Sequence, residues 1–356
     1  MGGILVGQKP MPARPGAGPS ERPTPRSDKP LHRLHVACRS GESVVRPPPC
    51  GGIGSEPEYL IATPCLRFSV FEARSATSVS SVSPNLSRSA HASQYRIVAR
   101  MPRPVVFVTG AGRGVGRVIA LRFAAAGYVV GVAGRNEAAI REVAAEIVAA
   151  GSDAFAVLCD VTRKQSVVDA IAETDRRLGP IDVLVNNAGV ADSAPFAAMD
   201  DALWDRMLAV NLTGTYSCMR AVLPGMFERR RGRVINIASV AGRTGFAYTA
   251  AYCASKHGVV GLTRAVALEA AGKGVTVNAI CPGWVDTDMT RESVARIVKK
   301  TGRSAADAKA AIEQMNPQKR LIQPEEVAAL AVFLAGPDAH GINGQALSVD
   351  GGELVA

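Results

Sequence analysis

The sequence predicts an α/β protein: a doubly wound, three-layer sandwich whose parallel sheet has seven strands, occupying residues 101–356 as a single domain. Three observations lead there. Short runs rich in valine and isoleucine alternate with longer stretches of helical period, a pattern that gathers parallel strands into one sheet with the helices as crossovers. A glycine-rich turn directly follows the first of these runs and opens a helix. The stretch is also of a length that fills one domain of this architecture.

Composition separates that stretch from what precedes it. Residues 1–100 hold 13 of the 22 prolines, 13 of the 41 lysines and arginines, and 6 of the 31 aspartates and glutamates, so they carry +7 of the formal net charge of +10. The basic balance belongs to this leader and gives no reason to expect nucleic-acid binding by the core. Proline clusters, serine-rich tracts and scattered arginines show no sustained period and cannot bury enough apolar surface to offset ordering entropy. The leader is therefore expected to be a disordered extension, either a transit segment or dispensable sequence before a natural start at Met101. Seven cysteines, with no C-x-x-C pair and no histidines at ligand spacing, imply neither a metal site nor a disulfide framework. No apolar run approaches the ~18 residues of a membrane span. A cytoplasmic protein with no membrane partner is expected.

The elements follow in order. Residues 105–108 form the first strand, and glycines at Gly110, Gly114 and Gly116 turn the chain into a helix ending near Gly127. Such a turn lets backbone approach a pyrophosphate and aims a helix N-terminus at it. Residues 129–133 are the second strand. An acidic residue at its end would bind the adenosine ribose hydroxyls, whereas this chain has Gly134 and Arg135, with Arg113 in the glycine turn. Two guanidiniums there suit a 2′-phosphate, which predicts NADP(H) over NAD(H). A helix over 136–150 and a strand over 154–158 follow. Asp160 and Val161 at that strand's end can meet the adenine, or Asp160 can help cap the next helix, for which Thr162 and Gln165 form a capping box.

Residues 183–185 are the fourth strand, closed by Asn186, Asn187, Ala188 and Gly189 at the sheet's carboxyl edge. A long helix over 200–229 is expected to contain Asn211 and to bend near Pro224. A strand over 233–238 ends at Ser239, and a helix opens around Ala250. Tyr252 and Lys256 are four apart on it, hence on one face. An ammonium so placed is expected to acidify the phenol, while Ser239 across the cleft holds a carbonyl or alcohol oxygen against it. His257 points about 100° away around the helix and is read as structural, as is Cys253. A strand over 275–280, a helix over 324–335 and a strand over 346–349 complete the set.

Taken together, TGAGRGVG (109–116), Asp160, NNAG (186–189), Asn211, Ser239, Tyr252, Lys256 and the Pro282-Gly283 pair resemble the short-chain dehydrogenase/reductase family over residues 101–356. The resemblance implies a Rossmann fold in which Tyr252 is the general acid or base. Lys256 would lower its pKa and bind the nicotinamide ribose, Ser239 would hold the substrate oxygen, and Asn211 would anchor a water leading to Lys256. It also implies cofactor contacts from Gly110, Arg113, Gly114, Val115, Gly116, Arg135, Asp160, Val161, Asn187, Ala188, Gly189, Pro282, Gly283 and Thr287. Assembly as a homotetramer through the two long helices is implied as well.

Residues 252–289 are similar to those of 3-oxoacyl-thioester reductases and polyketide ketoreductases, so reduction of a 3-oxoacyl thioester is the expected reaction. Arg229, Arg230, Arg231 and Arg233 are a candidate patch for an acyl carrier protein or coenzyme A. The alternatives are a secondary-alcohol or 3-hydroxyacyl dehydrogenase working oxidatively and, more remotely, a non-catalytic nucleotide sensor. Specificity is placed in 190–196, 242–248 and a lid over 284–320 with an apolar wall of Trp284, Met289, Val294, Ile297 and Met315.

Overall fold

Each valine-rich run is followed by a helix that returns the chain to the same edge, so the runs pair in parallel. The computed structural model describes residues 103–355; the expected disordered leader and the start at Met101 lie outside the described residues. In chain order the elements are β1 Val105–Thr109, α1 Gly114–Ala125, β2 Val129–Gly134, α2 Glu137–Ala149, β3 Ala154–Leu158, α3 Lys164–Leu178 and β4 Ile181–Asn186. Then come α4 Asp201–Met207, α5 Gly214–Glu228, β5 Gly232–Ile237, α6 Ala250–Ala271, β6 Val275–Pro282, α7 Asp288–Thr301, α8 Ala305–Met315, α9 Pro324–Ala335 and β7 Ala346–Val349.

The sheet order is β3-β2-β1-β4-β5-β6-β7, all parallel. The chain winds outward from β1 to β3, then returns to place β4 on the other side of β1. That reversal opens a crevice beyond the carboxyl ends of β1 and β4, where ligands bind in open sheets of this kind.

Two apolar layers hold the sandwich. Strand residues alternate between faces: Val106, Val108, Val130 and Val132 pack with Ile119 and Phe123 of α1, Ile140 and Ile147 of α2, and Leu334 of α9. Val105, Phe107 and Val129 face Ile171 of α3 and Met219, Val222 and Met226 of α5. Phe107, Phe123, Ile119 and Ile140 are among the largest fully buried side chains, and each contributes about 2 kcal/mol on leaving water. Caps fix where helices begin. Asn136 accepts from the Ala139 amide at 3.2 Å, Asp200 from Leu203 at 2.7 Å and Ser304 from Asp307 at 3.0 Å, each worth about 1 kcal/mol.

Two local expectations fail. The Thr162–Gln165 capping box does not form, because both the amide and the hydroxyl of Thr162 donate to Asp160 Oδ1, at 3.0 and 2.7 Å. Helix α3 then starts at Lys164, and Gln165 donates to Asp169 instead. The long helix over 200–229 is interrupted at Leu208–Thr213, which is π-helical, whereas α5 continues through Pro224. A wider turn inside a helix is found frequently at functional sites, and this one contains Asn211.

Candidate functional site

The glycine turn and the 186–189 loop are stapled together by one threonine and one asparagine. Thr109 Oγ1 accepts from the amides of Asn187 and Ala188, both at 3.0 Å, and donates to the Val185 carbonyl at 3.4 Å. Asn187 Nδ2 donates back to the Thr109 and Gly110 carbonyls at 3.0 and 3.2 Å. The closeness makes the glycines obligatory. A Cβ at Gly116 would lie 2.3 Å from the Gly110 carbonyl oxygen, and one at Gly110, whose φ is +65°, would lie 2.9 Å from Ala188 Cα. Gly114 at the start of α1 faces Thr287, the N-cap of α7, across the same opening.

A cleft of about 1150 Å³ runs along this carboxyl edge. Gly110, Arg113, Gly114, Val115, Arg135, Asp160, Val161 and Asn187 to Gly189 line one part of it, and Pro282, Gly283 and Thr287 face the middle. Gly116 does not line it; this residue acts underneath, by letting Asn187 approach. Burial raises the Asp160 carboxyl, but the Thr162 hydrogen bonds and the charges of Arg135 and Arg163 outweigh it and hold the group below its ordinary value. Arg135 is exposed at the end of β2. Arg113 reaches the other way and pairs with Glu292 of α7 at 3.1 Å.

Ser239, Tyr252 and Lys256 meet at the middle of the cleft. Ser239 ends the β5 segment and accepts from the Ala241 amide at 3.1 Å. Lys256 is only 5 % exposed, and its Nζ donates to the Ile237 carbonyl at 2.8 Å while lying 5.8 Å from the Tyr252 ring centre. Asn211 is buried one turn beyond: its Oδ1 accepts from the Val190 amide at 2.9 Å, and its Nδ2 donates to the Val190 carbonyl and to Ser255 Oγ, both at 3.0 Å. Its side chain is thus fully engaged in tying the 186–190 loop to α6. The backbone carbonyl accepts from the Thr215 hydroxyl at 2.8 Å.

The electrostatics run opposite to expectation. Burial raises the Tyr252 phenol, with the Ser239 hydroxyl opposing it and the Cys253 and Cys281 thiols adding to it. Burial also brings the Lys256 ammonium down to about 8. The ammonium is bonded to a carbonyl beside the ring rather than to the phenol oxygen, so desolvation dominates both groups. At neutral pH the pair is a protonated phenol beside an ammonium, which is the state that can give a proton away. His257 takes no part: its Nδ1 lies 2.9 Å from the Cys253 carbonyl on its own helix.

The rest of the cleft is framed by the 190–195 and 246–249 loops and by α7. Those loops are joined by the Ala194 amide donating to the Tyr248 carbonyl at 2.9 Å, with Tyr248 held at a φ of 68°. Trp284, Met289, Ile297 and Met315 face the cleft as expected; Val294 does not, since it turns to the groove between α7 and α8, beside Leu321.

A family model described as short chain dehydrogenase matches residues 104–297. The chain belongs to this family. A crystal structure of a variant of actinorhodin polyketide ketoreductase with NADPH superposes with a TM-score of 0.69 at 41 % identity, covering 70 % of this chain and 97 % of that one. A 3-oxoacyl-[acyl-carrier-protein] reductase of Synechocystis is 42 % identical over 253 residues, 70 % of this chain and 97 % of the relative. An acetoacetyl-CoA reductase of Rhizobium meliloti is 39 % identical over 254 residues, 71 % of this chain and 99 % of the relative.

The cleft of this dehydrogenase fits a nicotinamide dinucleotide. The glycine cradle is one that a single Cβ would fill, it opens at the N-terminus of α1, and it lies at the strand-order reversal. Several contributors carried no readable signal on their own. Thr109 belongs to the glycine motif, but its grip on Asn187 and Ala188 appears only when β1 and β4 are neighbours. Ser255 and the Ile237 carbonyl, and the buried chain from Asn186 Nδ2 to Asn236 at 2.8 Å and on to Thr263 at 2.9 Å, likewise need the assembled sheet. The arginine patch over 229–233 is spent elsewhere. Arg229 donates to the Ile181 carbonyl, Arg230 to Gly272, Arg233 to Gly232, and Arg231 pairs with Asp182. It lies at the amino end of β5, across the sheet from the cleft.

Proposed function

We propose that this enzyme reduces the 3-oxo group of an acyl thioester to the 3-hydroxyl with NADPH, Tyr252 delivering the proton. The observation that carries the reading is the Ser239–Tyr252–Lys256 cluster opening into a cleft with an apolar wall. The dinucleotide, held with its pyrophosphate at the glycine cradle, would supply a hydride from its nicotinamide to the carbonyl carbon. Ser239 holds the carbonyl oxygen by hydrogen bond, and the phenol, kept protonated by burial, donates to that oxygen as it becomes an alcohol. Lys256 favours the phenolate left behind, and a water on the Asn211 carbonyl is the route by which a proton returns. In the oxidative direction the same groups act in reverse.

NADPH is favoured over NADH because Arg135, at the end of β2, offers a guanidinium where the family's NAD-type carboxylate would stand, whereas Arg113 is engaged by Glu292. The exposed Trp204, Tyr216 and Leu268 on α4, α5 and α6 supply apolar surface for the homotetramer. Free thiols at Cys159, Cys218, Cys253 and Cys281 suit a reducing compartment such as the cytoplasm. A panel of acetoacetyl thioesters, simple ketones, sugars and steroids, followed by NADPH and NADH absorbance, tests the assignment. The thioesters should give the highest kcat/KM; turnover of sugars or steroids alone would retire it.

A further inference from the structure

Besides Arg113, Arg135 and Lys256, the basic groups that line the cleft are Arg296 and Lys300, both on α7. This helix starts at Thr287 beside Gly114 and presents Met289, Ser293, Arg296, Ile297 and Lys300 to the opening. At ~1.5 Å per residue, Arg296 stands roughly 14 Å and Lys300 roughly 20 Å along the helix axis from Thr287. The wall changes character along that length, from the apolar Met289 to a cationic far end.

These charges are not neutralised by the protein. Among the carboxylates lining the cleft, Asp160 is bonded by Thr162, Asp288 pairs with Arg291 at 2.6 Å, and Asp192 pairs with Arg206 at 2.8 Å. Arg296 lies within the field of Asp192, but one carboxylate shared by two guanidiniums leaves a positive surplus. Arg296 donates to Ser293 Oγ at 2.8 Å, and neither it nor Lys300 forms an ion pair within 4.0 Å among the described residues. A guanidinium fork and an ammonium one turn apart form a pair suited to phosphate, the first by geometry and the second as a point charge.

We propose that Arg296 and Lys300 bind the phosphate at the far end of a phosphopantetheine thioester, the group shared by coenzyme A and carrier proteins. This rests on the thioester reading above and assigns the recognition of the carrier to α7, in place of the arginines over 229–233. The apolar part of the wall takes the acyl and pantetheine portion, and the two cations fix how far the thioester enters.

The test compares acetoacetyl thioesters of coenzyme A, of an acyl carrier protein and of N-acetylcysteamine, which lacks the phosphate, in the parent and in the R296Q/K300Q double variant. The ratio of kcat/KM for the phosphate-bearing substrates to that for the truncated one should fall by about tenfold or more in the variant, through KM. A fall confined to the coenzyme A arm or to the carrier arm identifies the source. A second readout uses inhibition of a small ketone's reduction: phosphopantetheine should inhibit the parent more strongly than pantetheine, and the variant should lose that difference. Unaltered ratios together with equal inhibition by the two compounds overturn the proposal. If no thioester is reduced, yet the phosphate preference in inhibition persists and disappears in the variant, the reaction assignment fails while the phosphate site stands. An unfolding midpoint for the variant equal to the parent's excludes a folding defect.

Discussion

The two parts of the cleft are built on different principles. The cofactor part is made of loops at the edge of the sheet, where Thr109, Gly110, Gly116 and Asn187 touch one another's backbone and leave no room for a methyl group. The substrate part is made by α7 and α8, inserted between β6 and α9, which bury little: Thr290 in α7, and Ala308 and Ile312 in α8. A change in the first region disturbs folding and binding together, whereas a change in the second can retune the ligand while leaving the core intact. Tyr252 and Lys256 sit where the two regions meet, at the middle of the cleft.

That contrast can be broken at its junction. Tyr252→Phe removes the proton donor without altering the ring, and kcat for ketone reduction should fall on the order of 10³-fold while NADPH binding, followed by fluorescence, persists. Parent-like turnover by the variant would end the proposed mechanism. The pH profile examines the neighbouring ammonium. With Lys256 at about 8, kcat/KM for reduction should hold at neutral pH and decline above pH 8, by about tenfold per pH unit once the lysine is neutral. A profile flat to pH 10 would show that its charge is not needed.

The cofactor part should be intolerant in a way the lid is not. Gly116→Ala drives a Cβ against the Gly110 carbonyl, and urea unfolding should register a loss of roughly 1–3 kcal/mol alongside weakened NADPH binding. Arg135→Asp should spare stability but move the NADPH-to-NADH preference by about tenfold toward NADH; an unchanged ratio would remove Arg135 from 2′-phosphate recognition.

The smallest effect belongs to the end of the lid segment, where Arg320 grips Glu326 with two bonds of 2.6 and 2.8 Å and holds its carboxyl down to about 2. A carboxyl depressed in the folded state stabilises above its unfolded value near 4.5 and ceases to as pH falls through about 2. Because the pair is largely exposed, Glu326→Gln should cost no more than about 1 kcal/mol at pH 7, with the difference vanishing at the acid end of that window. A gap that stays constant from pH 7 to pH 2 would show that the ion pair is not its source.

The sequence alone determined the order of the elements, the parallel sheet and the identities at the glycine turn and at Ser239, Tyr252 and Lys256. The elements depend on local period, the glycines and the Tyr252–Lys256 pair on spacing within one turn or one helix, and Ser239 on its place in the family's order of motifs. Residues that act through local geometry are legible for that reason, although the capping box at Thr162 and Gln165 gave way to the bonds from Thr162 to Asp160. Only the tertiary structure decided which groups answer to which. Thr109 became a clasp once β1 lay beside β4, and the arginines at 229–233 fell at the far edge of the sheet because β5 runs away from them. Arg296 and Lys300 entered the cleft because α7 turns one face inward. The protonation of the Tyr252–Lys256 pair was also decided there, since spacing reports that two groups are close but not how much water burial takes from each.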